Sequence, residues 1–173
     1  EEPFHIPTDV AGHMRTALER GGKHQAEWTR RFEGWSKAQP ELAAEWKRAM
    51  NGELPSGWDD ALVPNDPGSS IATRSASGSA LNAIAPKVPW LIGGDADLSC
   101  STKSAMKDES WSTKDDDAAR NVHFGVREHA MAAIANGMAY HGGVRPYAST
   151  FFVFSDYMLP YIVFASMNHL PFV

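Results

Sequence analysis

One carboxylic acid stands at the front of an otherwise apolar segment of this chain. Glu128 follows a Gly-Val-Arg run and precedes a stretch rich in alanine, isoleucine and methionine that favours a helix. A carboxylate in such apolar surroundings is costly unless a partner or a ligand uses it. Taken alone, Glu128 fits better as an ordinary first-turn acid that the helix dipole favours.

Aromatic side chains further along the chain have a spacing that predicts a shared face. Phe151, Phe154 and Tyr157 recur at every third position, so one helical segment would carry all three rings on one side. An acid that faces a slot lined by such rings suits a flat, basic heterocycle. The sequence therefore indicates a ligand site built from Glu128 and these rings.

A glycine-rich run follows a short apolar segment that is typical of a buried strand. It reads Gly-Gly-Asp-Ala-Asp over residues 93–97, and ligands of open α/β sheets gather at the carboxyl ends of strands. The run lacks both the Gly-Lys-Ser/Thr ending of a P-loop and the spacing of a dinucleotide fingerprint. Asp95 and Asp97 are candidate metal ligands, and a solvated turn explains them equally well.

The histidines and nucleophiles give little support to other chemistry. His123 and His129 are six positions apart, which is not a spacing of metal ligands on a helix, so we expect both to be structural. Cys100 has no activating base nearby in the sequence, so a nucleophilic role is not indicated. The sequence has no Gly-x-Ser-x-Gly elbow of a serine hydrolase.

The composition is that of about one folded domain and argues against several kinds of partner. The 173 residues are 43% hydrophobic and 21% charged, which is enough apolar content for a core. With a net charge of -5 and no basic patch, the chain is not predicted to bind nucleic acid. Its single cysteine excludes an internal disulfide framework and fits a reducing compartment.

Membrane attachment and export are not indicated either. The first residues show neither the charged region nor the apolar region of a signal peptide. The longest apolar stretch, residues 151–164, contains polar residues and a proline and is shorter than the about 20 residues that span a bilayer. We expect this stretch to be core and the protein to be cytoplasmic.

The first 70 residues are predicted to form helices followed by a linker. A first helix would end at Gly21-Gly22, a second would cover residues 23–37, and a third would begin at Pro40. Residues 51–70 are rich in proline, glycine, serine and aspartate, which is typical of a linker. The second helix carries an aromatic stripe at helical spacing that predicts core packing: Trp28, Phe32 and Trp35.

From residue 71 onward, predicted helices and strands alternate. The predicted order is a helix at 74–85, a strand at 90–94, an exposed loop at 99–119, a helix at 124–141 that includes a short lead-in, a strand within 145–152, a helix at 155–167 and a strand from 170. This alternation predicts a parallel α/β sheet, and such a sheet needs more covering neighbours than this chain supplies. We therefore expect a piece of a longer polypeptide, cut at both ends.

Four ordered motifs in this second part closely resemble transketolase. They are Ile-Ala-Thr-Arg at 71–74, Gly-Gly-Asp-Ala-Asp-Leu-Ser-Cys-Ser at 93–101, Gly-Val-Arg-Glu-His-Ala-Met at 125–131 and Pro-Tyr-Ala-Ser-Thr-Phe at 146–151. The resemblance implies that residues 71–173 form a thiamine-diphosphate-binding domain of the pyrimidine type, truncated at its end. Residues 1–70 are similar to the helical connection between that family's first two domains.

The resemblance also implies which residues bind the cofactor. Glu128 matches the glutamate that hydrogen-bonds a pyrimidine nitrogen of thiamine diphosphate, and Leu98 matches a residue that touches the cofactor. Asp97 matches a neighbouring acid of the active site. The aromatic pocket around the pyrimidine ring would consist of Phe151, Phe154 and Tyr157.

Two further residues match the family's grip on a substrate. Arg74 and Ser101 correspond to the pair that holds the phosphate of a sugar phosphate, a role that suits the fork of a guanidinium group. The implied activity is that of transketolase in the pentose phosphate pathway. A two-carbon ketol unit passes from a ketose phosphate to an aldose phosphate.

The resemblance implies components that this chain does not carry. A divalent metal ion, Mg²⁺ or Ca²⁺, would be bound by the family's first domain, and the active sites would lie at the interface of a homodimer. The isolated chain is therefore expected to be inactive. This chain departs from the family at Leu159 and Val163, where arginine is usual, so these possible partner contacts differ.

Two other interpretations stay open. One is a related thiamine-dependent enzyme, such as dihydroxyacetone synthase or deoxyxylulose-phosphate synthase. Arg74 with Ser101 favours a phosphorylated sugar without choosing among these enzymes. The other is a catalytically silent pyrimidine-domain homologue that acts as an interaction module, and the intact glutamate and rings argue against it.

Overall fold

The computed structural model describes residues 3–171, and the chain divides into two units, Glu1–Glu45 and Trp46–Val173. A long helix makes up most of the first unit. The second unit contains a small sheet with several helices. Within the described residues, no helix is both long and apolar enough to cross a membrane.

The long helix of the first unit is continuous where the sequence predicted a break. Helix α1, Thr8–Ala38, runs through Gly21 and Gly22, so the prediction of two separate helices is wrong. A glycine in a helix interior costs about 1 kcal/mol relative to alanine, which weakens a helix without ending it. Good helix formers flank the pair, and Lys23 donates to Glu19 at 2.9 Å across it.

The aromatic stripe of α1 exists but does not pack into a core. The rings of Trp28 and Phe32 stack with centroids 5.0 Å apart, and those of Phe32 and Trp35 lie 5.7 Å apart. Over residues 8–38, all of them described, no residue is buried, and Trp28 is 53% exposed. The predicted core packing is therefore wrong for this unit, because the rings pack along the helix surface.

We expect the double substitution Gly21→Ala, Gly22→Ala to stabilise α1. A Cβ at either position meets no atom within 4 Å, and neither glycine has a positive φ. The alanines would reduce the freedom of the unfolded chain, which is worth about 1–2 kcal/mol for the pair. A peptide of residues 8–38 should gain helical content by far-ultraviolet circular dichroism. Gly12→Ala, near the fraying end, should gain less, and an unchanged double variant would contradict the expectation.

The second unit contains a parallel sheet of three strands. Strand β1, Leu91–Asp95, lies between β2, Asn121–His123, and β3, Arg145–Ser149. Both pairings are parallel, which confirms the predicted α/β class. The predicted strands at 90–94 and within 145–152 correspond to β1 and β3. The short strand β2 was not predicted.

Two glycines allow the central strand to approach both neighbours. A Cβ on Gly94 would lie 1.8 Å from the carbonyl oxygen of Val122 in β2. A Cβ on Gly93 would lie 2.2 Å from the carbonyl oxygen of Tyr147 in β3. Only glycine fits such a close approach of backbones, so both glycines belong to the strand, and the turn begins after Asp95.

Six further helices follow α1 along the described chain. They are α2 at Pro40–Met50, α3 at Thr73–Ile84, α4 at Ser99–Thr102, α5 at Glu128–His141, a 3₁₀ helix at Phe152–Met158 and α6 at Leu159–Met167. Helix α5 ends as predicted, at Gly142 and Gly143, which have φ angles of +81° and +82°. The helix predicted at 155–167 is divided, because Pro160 lies in the first turn of α6.

Two apolar clusters form the core of the second unit. The buried members of the first are Ala49, Ala85, Val88, Trp90, Leu91, Met106 and Tyr147. The buried members of the second are Ala96, Phe124, Met131, Ala132 and Met158. Both clusters therefore join residues of the strands, or of the turns after them, to residues of distant segments.

The segment predicted as an exposed loop, residues 99–119, contributes to the first cluster. Met106 is 1% exposed. The side chain of Asn121 fixes it, because Oδ1 accepts from the backbone N–H of Met106 at 2.9 Å and Nδ2 donates to its carbonyl oxygen at 2.8 Å. The prediction of a wholly exposed loop is wrong, since one methionine in a polar stretch gives no periodic signal.

The strand predicted from residue 170 falls at the edge of the described residues. Helix α6 ends at Met167, and His169 has a φ angle of +52°. Leu170 and Pro171 have no regular secondary structure. Phe172 and Val173 lie outside the described residues.

Candidate active site

The candidate residues follow the carboxyl ends of three neighbouring strands. Asp95, at the end of β1, is in register with His123 at the end of β2 and with Ser149 at the end of β3. The turn after β1, the start of α5 and the aromatic segment therefore all leave the sheet at one edge. This is the edge at which open parallel sheets bind ligands.

Asp95 shapes the turn that follows β1. Its side chain is fully buried, Oδ1 accepts the backbone N–H of Leu98 at 2.7 Å, and Oδ2 accepts the hydroxyl of Ser104 at 3.0 Å. Asp97 is exposed and has a φ angle of +68°, a left-handed conformation that aspartate tolerates in turns. A solvated turn therefore explains Asp97 but not Asp95, which holds Leu98 in place.

A buried set of polar groups continues from Asp95. The hydroxyl oxygens of Ser104 and Thr102 are 2.7 Å apart, and the Tyr147 hydroxyl donates to the carbonyl oxygen of Ser104 at 2.8 Å. Burial, reinforced by the charge of Asp95, raises the pKa of Tyr147 far above its ordinary value. Tyr147 is therefore a neutral donor at physiological pH, and it fixes the segment that follows α4.

The described residues do not form a metal site by themselves. Within residues 3–171, no three side chains of histidine, cysteine, aspartate or glutamate come together so that they could hold a metal ion. Asp95, one of the two candidate ligands, already uses both carboxylate oxygens inside the fold.

Glu128 is buried at the first position of α5. It is 9% exposed, and its Oε1 accepts a hydrogen bond from Thr150 Oγ1 at 3.2 Å. Among residues 3–171 no other group bonds this carboxyl, and Oε2 is not sealed from solvent. Gly125, with a φ angle of +70°, turns the chain into the helix. The acid thus stands at the positive end of the helix dipole with one oxygen available.

The three rings form one ladder because their segment is a 3₁₀ helix. Phe151 directly precedes that helix, and about three residues per turn bring every third side chain into line. The ring centroids are 6.2 Å apart for Phe151 and Phe154, and 6.5 Å apart for Phe154 and Tyr157. The rings share a face, as their spacing predicts. Phe151 and Phe154 are each 36% exposed, so the ladder is an open apolar surface.

A second contact ties α5 to the aromatic segment. His129 Nδ1 lies 3.2 Å from the carbonyl oxygen of Tyr157, and its ring meets that of Tyr161 edge-on with centroids 4.7 Å apart. This contact and the bond between Thr150 and Glu128 hold the ladder against the start of α5. The structural role expected for His129 agrees with these contacts.

Arg74 borders an open cavity of about 800 Å³ that reaches the first ring of the ladder. It is the second residue of α3 and is exposed. Ser101 is half-buried on α4 and is not part of the cavity wall. Lys103, which follows α4, packs its backbone against α3 at Gly78. Other residues of the wall include Thr102, Thr150 and Phe151. Glu128, Phe154 and Tyr157 lie outside that wall, so cavity and ladder adjoin at Phe151.

Two contacts at this edge were not predicted. One is the bond from Thr150 to Glu128, since a single threonine in an aromatic run carries no spacing signal. The other is a stack of Trp111 on His123, with centroids 3.8 Å apart and ring planes within 7°. Trp111 belongs to the segment that was predicted to be an exposed loop, and a bridge to Asn121 places it beside β2.

The two positions at which the resemblance leads us to expect arginine lie on α6. Leu159 is 53% exposed and Val163 is 48% exposed. They are four residues apart, so they share one side of the helix. This side of α6 is therefore an uncovered apolar surface within the described residues.

Two family models match the chain. The model described as the transketolase pyrimidine binding domain matches residues 69–173. The model described as the transketolase thiamine diphosphate binding domain matches residues 1–55. The first of these alone covers more than half of the chain.

Curated transketolases are similar over almost the whole chain. The protein of Halalkalibacterium halodurans is 47% identical over 173 residues, which are 100% of this chain and 26% of that protein. The protein of Bacillus subtilis is 44% identical over 172 residues, which are 99% of this chain and 26% of that protein. The chain thus spans about a quarter of the length of the curated relatives it matches.

Solved structures agree with this similarity. A Pichia stipitis transketolase in complex with sedoheptulose 7-phosphate superposes with a TM-score of 0.90 at 34% identity, over 99% of this chain and 26% of that one. The transketolase of Leishmania mexicana superposes with a TM-score of 0.91 at 33% identity, over the same shares of the two chains. The fold of the whole described chain is therefore that of the matching quarter of these proteins.

Proposed function

The chain belongs to the transketolase family, and we propose that it is one segment of an enzyme that transfers a two-carbon ketol unit between sugar phosphates with thiamine diphosphate as cofactor. The donor would be a ketose phosphate and the acceptor an aldose phosphate, as in the pentose phosphate pathway. The observation that carries the proposal is the buried Glu128. One of its carboxyl oxygens stays available at the edge where the ring ladder begins.

The residues at this edge fit the pyrimidine half of thiamine diphosphate. That half is a flat, basic heterocycle, and the ladder of Phe151, Phe154 and Tyr157 offers it an apolar face. Glu128 Oε2 would hold a proton and donate it in a hydrogen bond to a ring nitrogen. When bound, the cofactor supplies the electron sink for breaking a carbon–carbon bond.

The turn after β1 would complete the cofactor site. Leu98 would add an apolar contact, and its position depends on the bond from its backbone N–H to buried Asp95. Asp97 would add an exposed acid at the same edge. Both residues are presented by one turn, so the geometry of that turn decides whether either reaches the cofactor.

Arg74 and Ser101 would hold the phosphate group of the substrate. Arg74 supports this role because it stands exposed on the wall of a cavity of about 800 Å³ that meets the ladder at Phe151. A guanidinium group binds phosphate through two parallel hydrogen bonds. Ser101 would join from α4, and it would have to turn toward the cavity when substrate binds.

A complete site would need a second copy of the chain and further domains. The open ring ladder and the apolar side of α6 with Leu159 and Val163 support a homodimer in which the partner covers this edge. A divalent ion, Mg²⁺ or Ca²⁺, would bind to another part of the complete protein. The isolated chain would therefore be inactive.

The proposal also includes a domain division and a location. Residues 1–70 would be the helical connection to the preceding domain and residues 71–173 the pyrimidine-binding domain. The Pro-, Gly- and Ser-rich stretch at 51–70, which contains no helix beyond turns, supports a boundary there. The free and exposed thiol of Cys100 supports a reducing, cytoplasmic location.

A ketol-transfer assay on the full-length gene product tests the proposal. We expect turnover with xylulose 5-phosphate and ribose 5-phosphate that depends on added thiamine diphosphate and a divalent metal ion. Faster turnover with formaldehyde as acceptor would instead support a dihydroxyacetone synthase, and faster turnover with pyruvate as donor a deoxyxylulose-phosphate synthase. Cofactor binding without turnover would support a silent module. Absence of cofactor binding would overturn the proposal.

A further inference from the structure

Thr150 connects the two halves of the candidate site. It is the first residue after β3 and directly precedes Phe151, the first ring of the ladder. Its hydroxyl donates to Glu128 Oε1 across two different elements of the fold. One side chain therefore relates the position of the acid to the position of the rings.

The bond to Thr150 makes the two carboxyl oxygens of Glu128 unequal. Oε1 accepts the threonine proton, whereas Oε2 accepts no bond from residues 3–171 and is not sealed from solvent. A carboxyl oxygen that already accepts a donor is the poorer place for the acid's own proton. The proton of a neutral Glu128 therefore belongs on Oε2, the oxygen that a ligand can reach.

The bond between Thr150 and Glu128 is long, so it contributes more to the orientation of the carboxyl group than to the stability of the fold. At 3.2 Å it is longer than the usual O–H···O bond of about 2.7–2.8 Å, so it adds little to the stability of the fold. Threonine is stiff at χ1, so its hydroxyl keeps one direction relative to the strand end. A weak contact in a fixed direction suits the orientation of a group that must remain able to exchange a proton.

We propose that Thr150 is a positioning residue that holds Glu128 Oε1 as an acceptor and thereby presents the proton on Oε2 to the ring nitrogen of the cofactor. This inference rests on the proposed function. It assigns to Thr150 no contact with substrate and no proton transfer of its own. Loss of its hydroxyl would free the carboxyl to rotate and would divide the proton between both oxygens.

The test compares Thr150→Val, which keeps the shape and removes the hydroxyl, with Thr150→Ser, which keeps the hydroxyl. In the full-length enzyme we expect Thr150→Val to lower kcat about 10- to 100-fold, the range that misplacement of a catalytic group produces. The KM for sugar phosphate should change less than kcat, although Thr150 also lines the cavity that Arg74 borders. Thr150→Ser should restore most of kcat, which a merely structural role of the methyl group would not explain.

A second readout does not depend on turnover. The near-ultraviolet circular dichroism of bound thiamine diphosphate reports the protonation of its pyrimidine ring, and we expect Thr150→Val to weaken this signal while Thr150→Ser keeps it. Calorimetric titration should show weaker cofactor binding by the valine variant. Thr113→Val is the matched control, because Thr113 makes only local bonds in the 110–116 turn and should leave every readout unchanged.

The outcomes separate this inference from the function on which it rests. If the parent enzyme neither binds thiamine diphosphate nor transfers ketol units, both fail together. If the parent is active and Thr150→Val matches it in kcat and dichroism, only the role of Thr150 is overturned. Melting temperatures of the cofactor-free variants check the fold, and Thr150→Ala replaces Thr150→Val in each comparison if valine lowers the melting temperature.

Discussion

Turnover of the complete enzyme at saturating thiamine diphosphate is expected to fall about 10²- to 10⁴-fold when Glu128 is replaced by alanine, the range that a positioned acid or base contributes. The reason is that Glu128 is the buried acid at the edge where the ring ladder starts, with one oxygen open to a ligand. Thr150, the residue that bonds this carboxyl, cannot stand in for it, because its hydroxyl can donate a hydrogen bond but cannot supply a proton at neutral pH.

A matched series sharpens this expectation. Glu128→Gln keeps an acceptor for Thr150 and an N–H donor in place of Oε2, so it should bind the cofactor better than the alanine variant and still turn over slowly. Glu33→Ala removes an exposed glutamate from α1 and should leave kcat and KM unchanged. Steady-state kinetics and cofactor titration measure both effects. Full turnover of Glu128→Ala at saturating cofactor would remove this acid from the mechanism.

The second large effect is expected for Gly94→Ala, which should prevent β1 from pairing with β2 at its present distance. The added Cβ would lie 1.8 Å from the carbonyl oxygen of Val122, which is part of the ladder between β1 and β2. The backbone oxygen cannot move aside without loss of its strand pairing. We expect the free energy of unfolding to fall by about 4 kcal/mol or more, which belongs to the largest effects of single substitutions.

Soluble yield of the full-length product and the midpoint of its urea unfolding measure this effect. Gly34→Ala is the control, because the same methyl group on α1 meets no atom within 4 Å and should leave both quantities unchanged or slightly raised. A Gly94→Ala protein with the parent's midpoint would show that β1 and β2 are not packed as closely as the structure indicates.

The parts of the fold that carry a repeated signal could be predicted from the sequence. The apolar run of β1 and the long apolar helix α5 with its Gly142-Gly143 end are of this kind. Isolated features could not be predicted. Residues 121–123 are too short to show an alternating pattern, and the position of Met106 in the core depends on Asn121, which binds its backbone from 15 residues away.

The predicted break at Gly21 and Gly22 is the opposite kind of error, because a local signal was given too much weight. Two glycines usually suggest a helix end, yet their cost of about 1 kcal/mol each is spread over a helix of 31 residues. The sequence alone also placed the stripe of Trp28 in a core. Helical spacing shows that side chains share a face but does not show what covers that face.

Part of the candidate site could likewise be predicted from the sequence, and part of it could not. The four motifs identified the family, and the comparisons with known transketolases confirm that identification. The common face of the rings followed from a spacing of three. The partners that orient the acid and the turn did not follow, since Thr150 bonds Glu128 from 22 residues away and Asp95 bonds Leu98 and Ser104 from a fully buried position. Single contacts of this kind leave no pattern in one sequence.

The 3₁₀ geometry of the aromatic segment constrains the number of its residues as strictly as it constrains their types. Each residue there advances the chain by about a third of a turn, so one inserted or deleted codon between Phe151 and Tyr157 would swing every later ring roughly 120° away from its neighbours. Exchange of phenylalanine for tyrosine leaves the alignment intact. Lineages that lengthen or shorten this stretch should therefore do so by three residues at a time.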